Sequence, residues 1–264
     1  MVRKIKQIFY LVPFLGCFGM EAQEENSVPE LITDRPDMTE SPNSVPNKSI
    51  QIETGIFYES FEENNFKEVT YGYNTTLIRY GLFENFELRL GVNFEEEHFS
   101  LNTQELNNIK SGFSPLLAGM KVEIVDENGI LPQIGLLGHV YLPFIASKDF
   151  RTETTGVDFR FSFAHTISEK SSLAYNFGAE WIDDTTNASY IYTLVYGYNL
   201  TDKISLYAEV YGNFPESNNA NHLWDAGITY LVKNNIQLDA TVGKSFTKGQ
   251  DILVSTGISF RLPN

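Results

Sequence analysis

Two residue classes are scarce in this 264-residue chain, and each scarcity excludes a class of protein. There is one cysteine, Cys17, so neither a disulfide framework nor a zinc site built on paired cysteines can form within the chain. Basic residues are also few: 19 Lys and Arg stand against 34 Asp and Glu, giving a formal net charge of −15. Because phosphate binding requires a basic face, we expect no nucleic-acid partner.

The chain also lacks a long hydrophobic run. Its main apolar stretch, IFYLVPFLGCFGM at residues 8–20, contains a proline and is too short to span a bilayer as a helix. The basic MVRKIKQ precedes it, and Ala22 offers a small residue for cleavage before Gln23. This order predicts a secretory signal peptide over residues 1–22, whose removal leaves a mature chain without cysteine. The alternative is a lipoprotein-type signal, FLGC, with Cys17 lipidated.

Motifs for cofactor or metal chemistry are missing. The sequence has no phosphate-cradling loop, no zinc spacing and no nucleotide fingerprint, so we expect no cofactor and no metal. Of the four histidines, His98 and His222 fall in predicted external loops and His165 ends a strand on the lipid side. His139 is on the lumen side, without a serine or carboxylate at a useful spacing in the sequence. We predict no catalytic residue, although a Ser–His–acid arrangement is recognised by geometry and not by sequence position.

What the chain has in abundance is two-residue alternation. In FELRLGVNFE, for example, Phe86, Leu88 and Leu90 alternate with Glu87 and Arg89, as in a strand with one apolar face. We predict twelve such strands, at residues 50–59, 68–81, 86–95, 116–124, 131–142, 157–165, 173–181, 190–200, 204–212, 223–232, 236–243 and 252–262. The second strand slips in phase, and Arg79 there could mark a β-bulge or reach towards the membrane rim.

Alternation alone fits both a soluble sandwich and a transmembrane barrel. The apolar phase carries no Asp, Glu, Lys or Arg, and its aromatic residues gather near the strand ends, as in the girdles of a barrel. Longer polar loops, around residues 60–68, 96–112, 143–156, 183–189, 214–223 and 245–251, alternate with short turns. We therefore predict an all-β fold, a transmembrane antiparallel up-and-down β-barrel of twelve strands over residues 50–264. Its place would be the outer membrane of a Gram-negative bacterium, with both termini in the periplasm.

The polar phase of the strands supplies the predicted lumen. Its candidate lining residues are Glu53, Glu87, Arg89, Lys121, Glu123, Asp158, Arg160, Glu180, Glu209, Asp225 and Asp239. Since carboxylates outnumber cations among them, one interpretation is a water-filled channel that prefers cations. The other is that these charges pair with one another and fill a narrow barrel.

A compact charged stretch, TDRPDMTESP at residues 33–42, lies between the signal and the first strand. Its prolines disfavour a helix or a paired strand, so residues 23–49 should be extended or turned. They could be a solvated periplasmic linker. Our sharper hypothesis is a lumen plug or gate in which Asp34, Arg35, Asp37 and Glu40 meet lumen charges.

From LITDRPDMTESPNSVPNKSIQIETGIFYE onwards, the sequence resembles a family of outer-membrane transporter proteins, the meta-pathway phenol-degradation family. LIRYGLFENFELRLG, YAEVYG and NIQLDATVG are further similarities, and together they cover most of residues 32–260. The resemblance implies an outer-membrane β-barrel that passes small molecules, including hydrophobic or aromatic ones.

The function predicted is thus a porin-like channel for passive passage of small molecules. Its partners would be outer-membrane lipid, small-molecule solutes and, during biogenesis, the barrel-assembly machinery, for which Phe260 in the last strand is a candidate signal. One alternative is a membrane-embedded enzyme that modifies lipid or lipopolysaccharide. Another is a plugged structural or adhesive barrel acting through its external loops, with residues 95–112 as the longest contact.

Overall fold

The computed structural model describes residues 29–182, 184–246 and 249–262. The predicted signal peptide and Cys17 lie outside these residues. The described chain forms fourteen strands and two 3-10 turns, Pro143–Ile145 and Lys148–Phe150. The strands are β1 (Ile50–Glu63), β2 (Phe66–Phe83), β3 (Phe86–Leu101), β4 (Gln104–Glu105), β5 (Lys110–Phe113), β6 (Leu116–Val125), β7 (Gln133–Leu142), β8 (Gly156–Ser168), β9 (Ser171–Trp181), β10 (Ser189–Asn199), β11 (Ile204–Pro215), β12 (Asn221–Lys233), β13 (Ile236–Ser245) and β14 (Gly249–Leu262).

The strands close into a ring. β4 and β5 are short additions beside β3, and the other twelve strands pair antiparallel in the order β2-β1-β14-β13-β12-β11-β10-β9-β8-β7-β6-β3, with β3 returning to β2. This confirms the predicted fold class, an antiparallel up-and-down barrel of twelve strands. Closure gives each of these twelve strands a hydrogen-bonded neighbour on both sides, as the interior of a bilayer requires. Among the described residues, no helix is long and apolar enough to cross a membrane.

The barrel turns its apolar side outwards. In β13, Leu238 is 43% exposed and Val242 is 51% exposed, whereas Asp239 and Thr241 between them are 4% and 2% exposed. A soluble sandwich would bury the leucine and valine and expose the aspartate. Exposed apolar side chains outside and buried polar ones inside are the arrangement of a barrel in lipid.

The predicted alternation of long and short connections is wrong in part. Residues 60–68 are not a long loop, because β1 and β2 continue as a hairpin to a two-residue turn at Asn64 and Asn65, whose φ angles are 51° and 65°. Such positive values are those of the type I′ hairpin turn, which asparagine tolerates. His98 and His222 likewise lie in β3 and β12 and not in loops.

The reason for this error is physical. A strand that continues beyond the bilayer has water on its outer face, so its sequence loses the apolar alternation, as in the polar run EEEH at residues 95–98 of β3. Hydrogen bonding to the neighbouring strand continues nonetheless. Of the loops predicted to be long, the regions around residues 102–115 and 143–155 are long connections. They lie at the same end of the barrel as the turn at Asn64 and Asn65.

Candidate functional site

Residues 29–49, which we call the lumen segment, run through the interior of the barrel. They contain no helix and no named strand, and they contact wall residues all around the ring. Two wall glycines admit them: a Cβ on Gly81 would lie 2.2 Å from the Pro46 carbonyl oxygen, and one on Gly135 would lie 2.8 Å from Pro42 Cα. The segment therefore packs directly against the backbone of the wall.

One side of the wall offers the segment three cations, Arg79, Arg89 and Lys121, which we call the basic cluster. The carboxylate of Asp34 accepts hydrogen bonds from Arg89 Nη1 at 3.0 Å and from Lys121 Nζ at 2.8 Å, and it lies 3.1 Å from Arg79 Nη1. Glu40 accepts from Arg89 Nη2 at 2.9 Å. Burial alone would raise the pKa of Asp34, but the three cations outweigh burial and hold this pKa well below its usual value.

Arg79, whose direction the sequence left open, faces the lumen. It is fully buried and donates through Nε to Glu87 at 2.9 Å and through Nη1 to Glu53 at 2.8 Å. Its Nη2 donates to the carbonyl oxygen of Asn43 in the lumen segment. The hypothesis that the Arg79 side chain reaches towards the membrane rim is therefore wrong. The pairing of β2 with β3 shifts register between Gly72 and Asn74, and this bulge accounts for the slip in phase.

The opposite side of the wall presents carboxylates to the tip of the segment. Glu209 accepts a hydrogen bond from the Met38 backbone N–H at 2.8 Å and another from the Thr39 hydroxyl. Asp225 lies directly across from Glu209 in the register of β11 and β12. Neither carboxylate oxygen of Asp225 has a hydrogen-bond partner within the described ranges. We call Asp37, Glu209 and Asp225 the acidic cluster.

Asp37 adds the carboxylate of the segment itself to this cluster. Its removal from bulk water inside the lumen, together with the charge of Glu209 and then of Asp225, raises the pKa of Asp37 well above its usual value. The lumen segment is thus held to one side of the barrel by its ion pairs with the basic cluster. On the other side, its Asp37 carboxylate is repelled by the carboxylates of Glu209 and Asp225.

Arg35 connects the segment to β2 and β13, the strands on either side of the paired β1 and β14. Its guanidinium donates to Asp239 on β13 at 3.0 Å and to Thr75 on β2 at 3.3 Å. A Cβ on Gly55 would lie 2.5 Å from Arg35 Nη2, and one on Gly257 would lie 2.6 Å from it. Because these two glycines are paired across β1 and β14, their missing side chains provide the space that the guanidinium occupies.

The structure places the eleven predicted lining residues as follows. Eight are buried inside the barrel: Glu53, Glu87, Arg89, Lys121, Asp158, Glu209, Asp225 and Asp239. Glu123 is partly exposed and accepts from the Ser44 hydroxyl at 2.9 Å. Arg160 and Glu180 are partly exposed and line a cavity described below.

Sequence reasoning missed two uncharged residues that hold the segment. Asn176 accepts from the Glu40 backbone N–H at 2.7 Å and donates to the Glu40 carbonyl at 2.9 Å. The Thr193 hydroxyl contacts that of Thr39 at 2.7 Å. Their signal in the sequence was weak, because a polar residue on the lumen phase of a strand is expected whether or not it binds anything.

His139 has a carboxylate partner that sequence spacing did not reveal. The register of β7 and β8 pairs His139 with Asp158, and the ring Nδ1 lies 2.8 Å from the Asp158 carboxylate. Tyr141 donates to the same carboxylate at 3.1 Å. Within the described residues, His139 Nε2 has no hydrogen-bond partner and no group of three His, Cys, Asp or Glu side chains could hold a metal. The pair is therefore not completed by a serine into a hydrolytic triad.

Beyond the tip of the segment lies a cavity of about 280 Å³, which we call the vestibule. It is lined by the ends of strands farthest from the point at which the segment joins β1. Met38 belongs to both the vestibule lining and the segment tip, and Arg160, Tyr211 and Gln250 are among the wall residues. The vestibule is a part of the lumen that the segment does not fill.

Comparison with known proteins places this geometry in a family. A family model described as "Putative MetA-pathway of phenol degradation" matches residues 33–262. The chain belongs to this family. The match begins at the first residue of TDRPDMTESP, so most of the lumen segment is part of the family pattern. No curated protein matches the chain.

Solved structures share the fold at low sequence identity. An outer membrane channel from Pseudomonas putida F1 superposes with a TM-score of 0.66 at 13% identity, covering 83% of this chain and 97% of that one. The translocator domain of the autotransporter NalP from Neisseria meningitidis has a TM-score of 0.51 at 11% identity, with 81% and 88% covered. The NanC porin has a TM-score of 0.50 at 8% identity, with 80% and 100% covered. These structures show that the chain has the fold of known membrane β-barrels.

Proposed function

We propose that this protein is an outer-membrane channel for the passive passage of small molecules, hydrophobic or aromatic ones among them. The observation that carries the proposal is how the lumen segment is held. Between Thr33 and Val45, each hydrogen bond to the wall in the described structure involves a side chain, as with Asp34 on Lys121 and Met38 on Glu209. Such a segment can leave the lumen without breaking a strand of the barrel.

The family supports the same proposal. The matching residues include the lumen segment, and the P. putida relative is described as an outer membrane channel. The description of the family names phenol degradation, which fits a small aromatic cargo. In this proposal the lining residues set the selectivity of the lumen, and Asp34, Arg35, Asp37 and Glu40 hold the gate.

The test is conductance across a planar lipid bilayer. The intact mature protein should give small or infrequent steps, and deletion of residues 24–42 should enlarge them, because the lumen would be emptied. A matched variant replaces residues 33–42 by an equally long Gly-Ser sequence, which keeps the chain length and removes the side-chain contacts. Both variants must first show heat-modifiable migration on a gel, as evidence of a folded barrel.

Unchanged conductance in both folded variants would reject the gate and return residues 23–49 to the role of a linker. Absence of steps from intact protein and variants alike would reject the channel. The plugged structural or adhesive barrel would then be favoured. No specific contact favours the enzyme: within the described residues, His139 Nε2 has no hydrogen-bond partner. We propose a channel and not an enzyme because the solved P. putida structure is described as an outer membrane channel.

We also propose the division of the chain that this function requires. Residues 1–22 would be a signal peptide cleaved on export, residues 23–49 the gate, and residues 50–264 the membrane barrel. Outer-membrane lipid would surround the exposed apolar band, and the assembly machinery would recognise the last strand. Mass spectrometry of the mature N-terminus would distinguish cleavage after Ala22 from lipidation of Cys17.

A further inference from the structure

The vestibule carries opposite charges on opposite walls. Arg160 on β8 and Glu59 on β1 both belong to its lining. In the order of the ring, β8 and β1 are seven strands apart in one direction and five in the other. Because neighbouring strands lie about 4.8 Å apart, a ring of twelve strands is roughly 20 Å across. The two charged side chains therefore approach the cavity from opposite sides.

On the positive wall, the guanidinium of Arg160 is poorly satisfied by the protein. Its Nε is a buried donor without a hydrogen-bond partner within the described part of the chain. Its Nη1 reaches the Met38 carbonyl oxygen only at 3.4 Å, and its Nη2 lies 3.9 Å from the Asp158 carboxylate. Hydrogen bonds from nitrogen to oxygen are usually about 2.7–3.2 Å long. Arg160 thus has donors available for a carboxylate, which can accept two of them at once.

On the negative wall, Glu59 and Gln250 offer two acceptors. Within the described residues, Glu59 accepts one hydrogen bond, from Gln250 Nε2 at 2.6 Å. This bond orients the amide of Gln250, a side chain that is buried in the wall. Gln250 Oε1 is a buried acceptor without a partner among the described residues. An ammonium group has three donors, so it can satisfy Gln250 Oε1 and compensate the charge of Glu59 together.

The distribution of charge excludes ligands that carry charge of one sign. An anion would meet Glu59 and Glu180, and a cation would meet Arg160, since all three residues line the vestibule. A zwitterion can place each of its charges against the opposite charge of the wall. Between the walls, Met38 and Tyr211 contribute apolar surface, which favours an apolar body between the two charged ends.

The width of the cavity sets the separation of those ends. A single α-amino acid carries its ammonium and its carboxylate too close together to meet both walls. A chain of two or three residues, at up to about 3.5 Å per residue, separates them by roughly 7–10 Å. This separation is comparable to the gap that remains between two side chains reaching inwards from opposite sides of the ring. The cavity volume of about 280 Å³ also suits a small molecule of this kind, since pockets for drug-sized ligands begin at roughly 300 Å³.

We propose that the vestibule binds a short zwitterionic peptide with apolar side chains, its carboxylate on Arg160 and its ammonium on Glu59 and Gln250. This inference rests on the proposed channel function, to which it adds a class of solute other than the aromatic one that the family description names. Arg160 also links the site to the lumen segment, because its Nη1 donates to the carbonyl of Met38 at the segment tip. A carboxylate bound by Arg160 competes with this contact.

The test compares three probes that share one body and differ in charge. Leu-Leu is a zwitterion, N-acetyl-Leu-Leu is an anion and Leu-Leu amide is a cation. Binding to the purified full-length protein in detergent is measured by isothermal titration calorimetry, with the heat of titrating empty micelles subtracted. We expect saturable binding of Leu-Leu that is about tenfold or more tighter than binding of either blocked form, because each blocked form loses one charged hydrogen-bonding end.

Two substitutions assign the ends of the ligand. Arg160→Gln should weaken Leu-Leu and N-acetyl-Leu-Leu about tenfold or more, as expected for loss of a charged hydrogen-bond donor, without weakening Leu-Leu amide. Glu59→Gln should weaken Leu-Leu and Leu-Leu amide by a similar factor, without weakening N-acetyl-Leu-Leu. Opposite responses of the two blocked forms are not expected from a general loss of structure.

The matched controls are Arg151→Gln, in the exposed connection between β7 and β8, and Glu62→Gln, at an exposed position of β1. Each removes an equal charge outside the vestibule lining and should leave all three affinities as they are. All variants are checked for heat-modifiable migration. Non-saturable Leu-Leu heat, equal affinity for the three probes, or a substitution that weakens all three alike would each overturn the site.

Bilayer recordings on the same preparations separate the two proposals. Conductance without Leu-Leu binding rejects only the vestibule site. Leu-Leu binding without conductance in any variant rejects the channel.

Discussion

Asp34 is the residue at which the lumen segment and the wall of the barrel are most strongly joined. Its carboxylate is buried and receives Arg89 and Lys121 while lying beside Arg79. Arg79 and Lys121 are themselves fully buried. Removal of one partner from such a cluster is costly because the remaining charges stay buried without compensation. One side chain thus contributes disproportionately to the position of the lumen segment.

Asp34→Asn should therefore release the segment. Removing a partner from a buried ion pair costs about 3–5 kcal/mol, which is enough to move a packed segment out of the lumen for much of the time. We expect larger and more frequent conductance steps in a planar bilayer. Asp37→Asn is the matched control, since it also replaces an aspartate of the segment but removes a repulsion. Equal effects of the two substitutions would contradict the assignment of Asp34.

Asp37 makes the packing of the lumen segment inside the barrel depend on pH. Its carboxyl faces Glu209 on β11, Asp225 on β12, Tyr207 on β11 and Asp34 on its own segment, and its pKa is raised in the packed state. The packed state therefore binds more protons than the released state at this position. Packing is favoured below the unperturbed pKa of about 3.9 and weakens as pH rises through the raised pKa. Conductance should increase with pH in this window.

The measurement is a series of bilayer recordings from pH 4.5 upwards, in wild type and in Asp37→Asn. The variant should lose the part of the rise that belongs to Asp37. Asp34 has the opposite sign, because its pKa is lowered: its contribution is present above about pH 3.9 and is lost only as pH falls through the lowered value. The two effects therefore occupy different pH ranges. A conductance that falls as pH rises would contradict the role given to Asp37.

At the scale of elements, two-residue alternation was sufficient to predict the twelve barrel strands and to assign most lumen-facing residues. It failed where strands continue into water, as at residues 60–68, because the apolar signal there disappears while the pairing persists. It could not predict contacts that depend on register between strands, such as His139 with Asp158 or Glu209 beside Asp225. The charges and prolines of residues 33–42 suggested a segment inside the lumen. Its partners on the wall could not be predicted, because they depend on how the strands close into a ring.

The close fit of the segment to β7 gives a prediction that involves no charge. Gly135→Leu should displace the segment, because even a Cβ at this position would meet Pro42 Cα at 2.8 Å. Overpacking of this kind costs about 1–3 kcal/mol, so we expect raised conductance with the barrel still folded. Gly138→Ala on the same strand is the control, since its Cβ would have ordinary contact at 3.4 Å with the Asp158 carbonyl. Conductance at the wild-type level in folded Gly135→Leu would show that the segment adapts.

At the scale of the whole molecule, the interior is divided by charge. The basic cluster belongs to β2, β3 and β6, where Glu53 and Glu87 pair with Arg79. On the other side, Glu209, Asp225 and Asp239 of β11, β12 and β13 are buried carboxylates. The lumen segment neutralises part of both sides, through Asp34 and Glu40 on one and Arg35 on the other. An emptied barrel would expose a lining in which carboxylates outnumber cations.

The barrel lacking residues 24–42 should consequently select cations. A ring of carboxylates raises the local cation concentration in a narrow pore. In a potassium chloride gradient, the reversal potential should have the sign of cation selectivity, and it should move towards zero in Asp239→Asn, which removes one lining carboxylate. Anion selectivity of the folded deletion variant would contradict the assignment of the lining.

The two ends of the lumen segment leave the barrel on the same side. Leu31 donates its N–H to Asn234 in the turn between β12 and β13, and Ser49 leads directly into β1. The segment is therefore a loop inserted through one mouth of the barrel, which is the periplasmic mouth in the predicted orientation, with Met38 at its tip. Withdrawal through the same mouth would drag no part of the described chain across the membrane.

This geometry allows the position of the lumen segment to be tested by chemical labelling in intact cells. Because the only cysteine lies in the predicted signal peptide, a cysteine introduced into the mature chain would be unique. In intact cells, a membrane-impermeant thiol reagent too large for the pore should label Met38→Cys and spare Pro29→Cys. Loss of the Met38→Cys labelling after treatments that raise conductance would show that the lumen segment moves towards the periplasm. Labelling of Pro29→Cys alone would show that the barrel has the opposite orientation in the membrane.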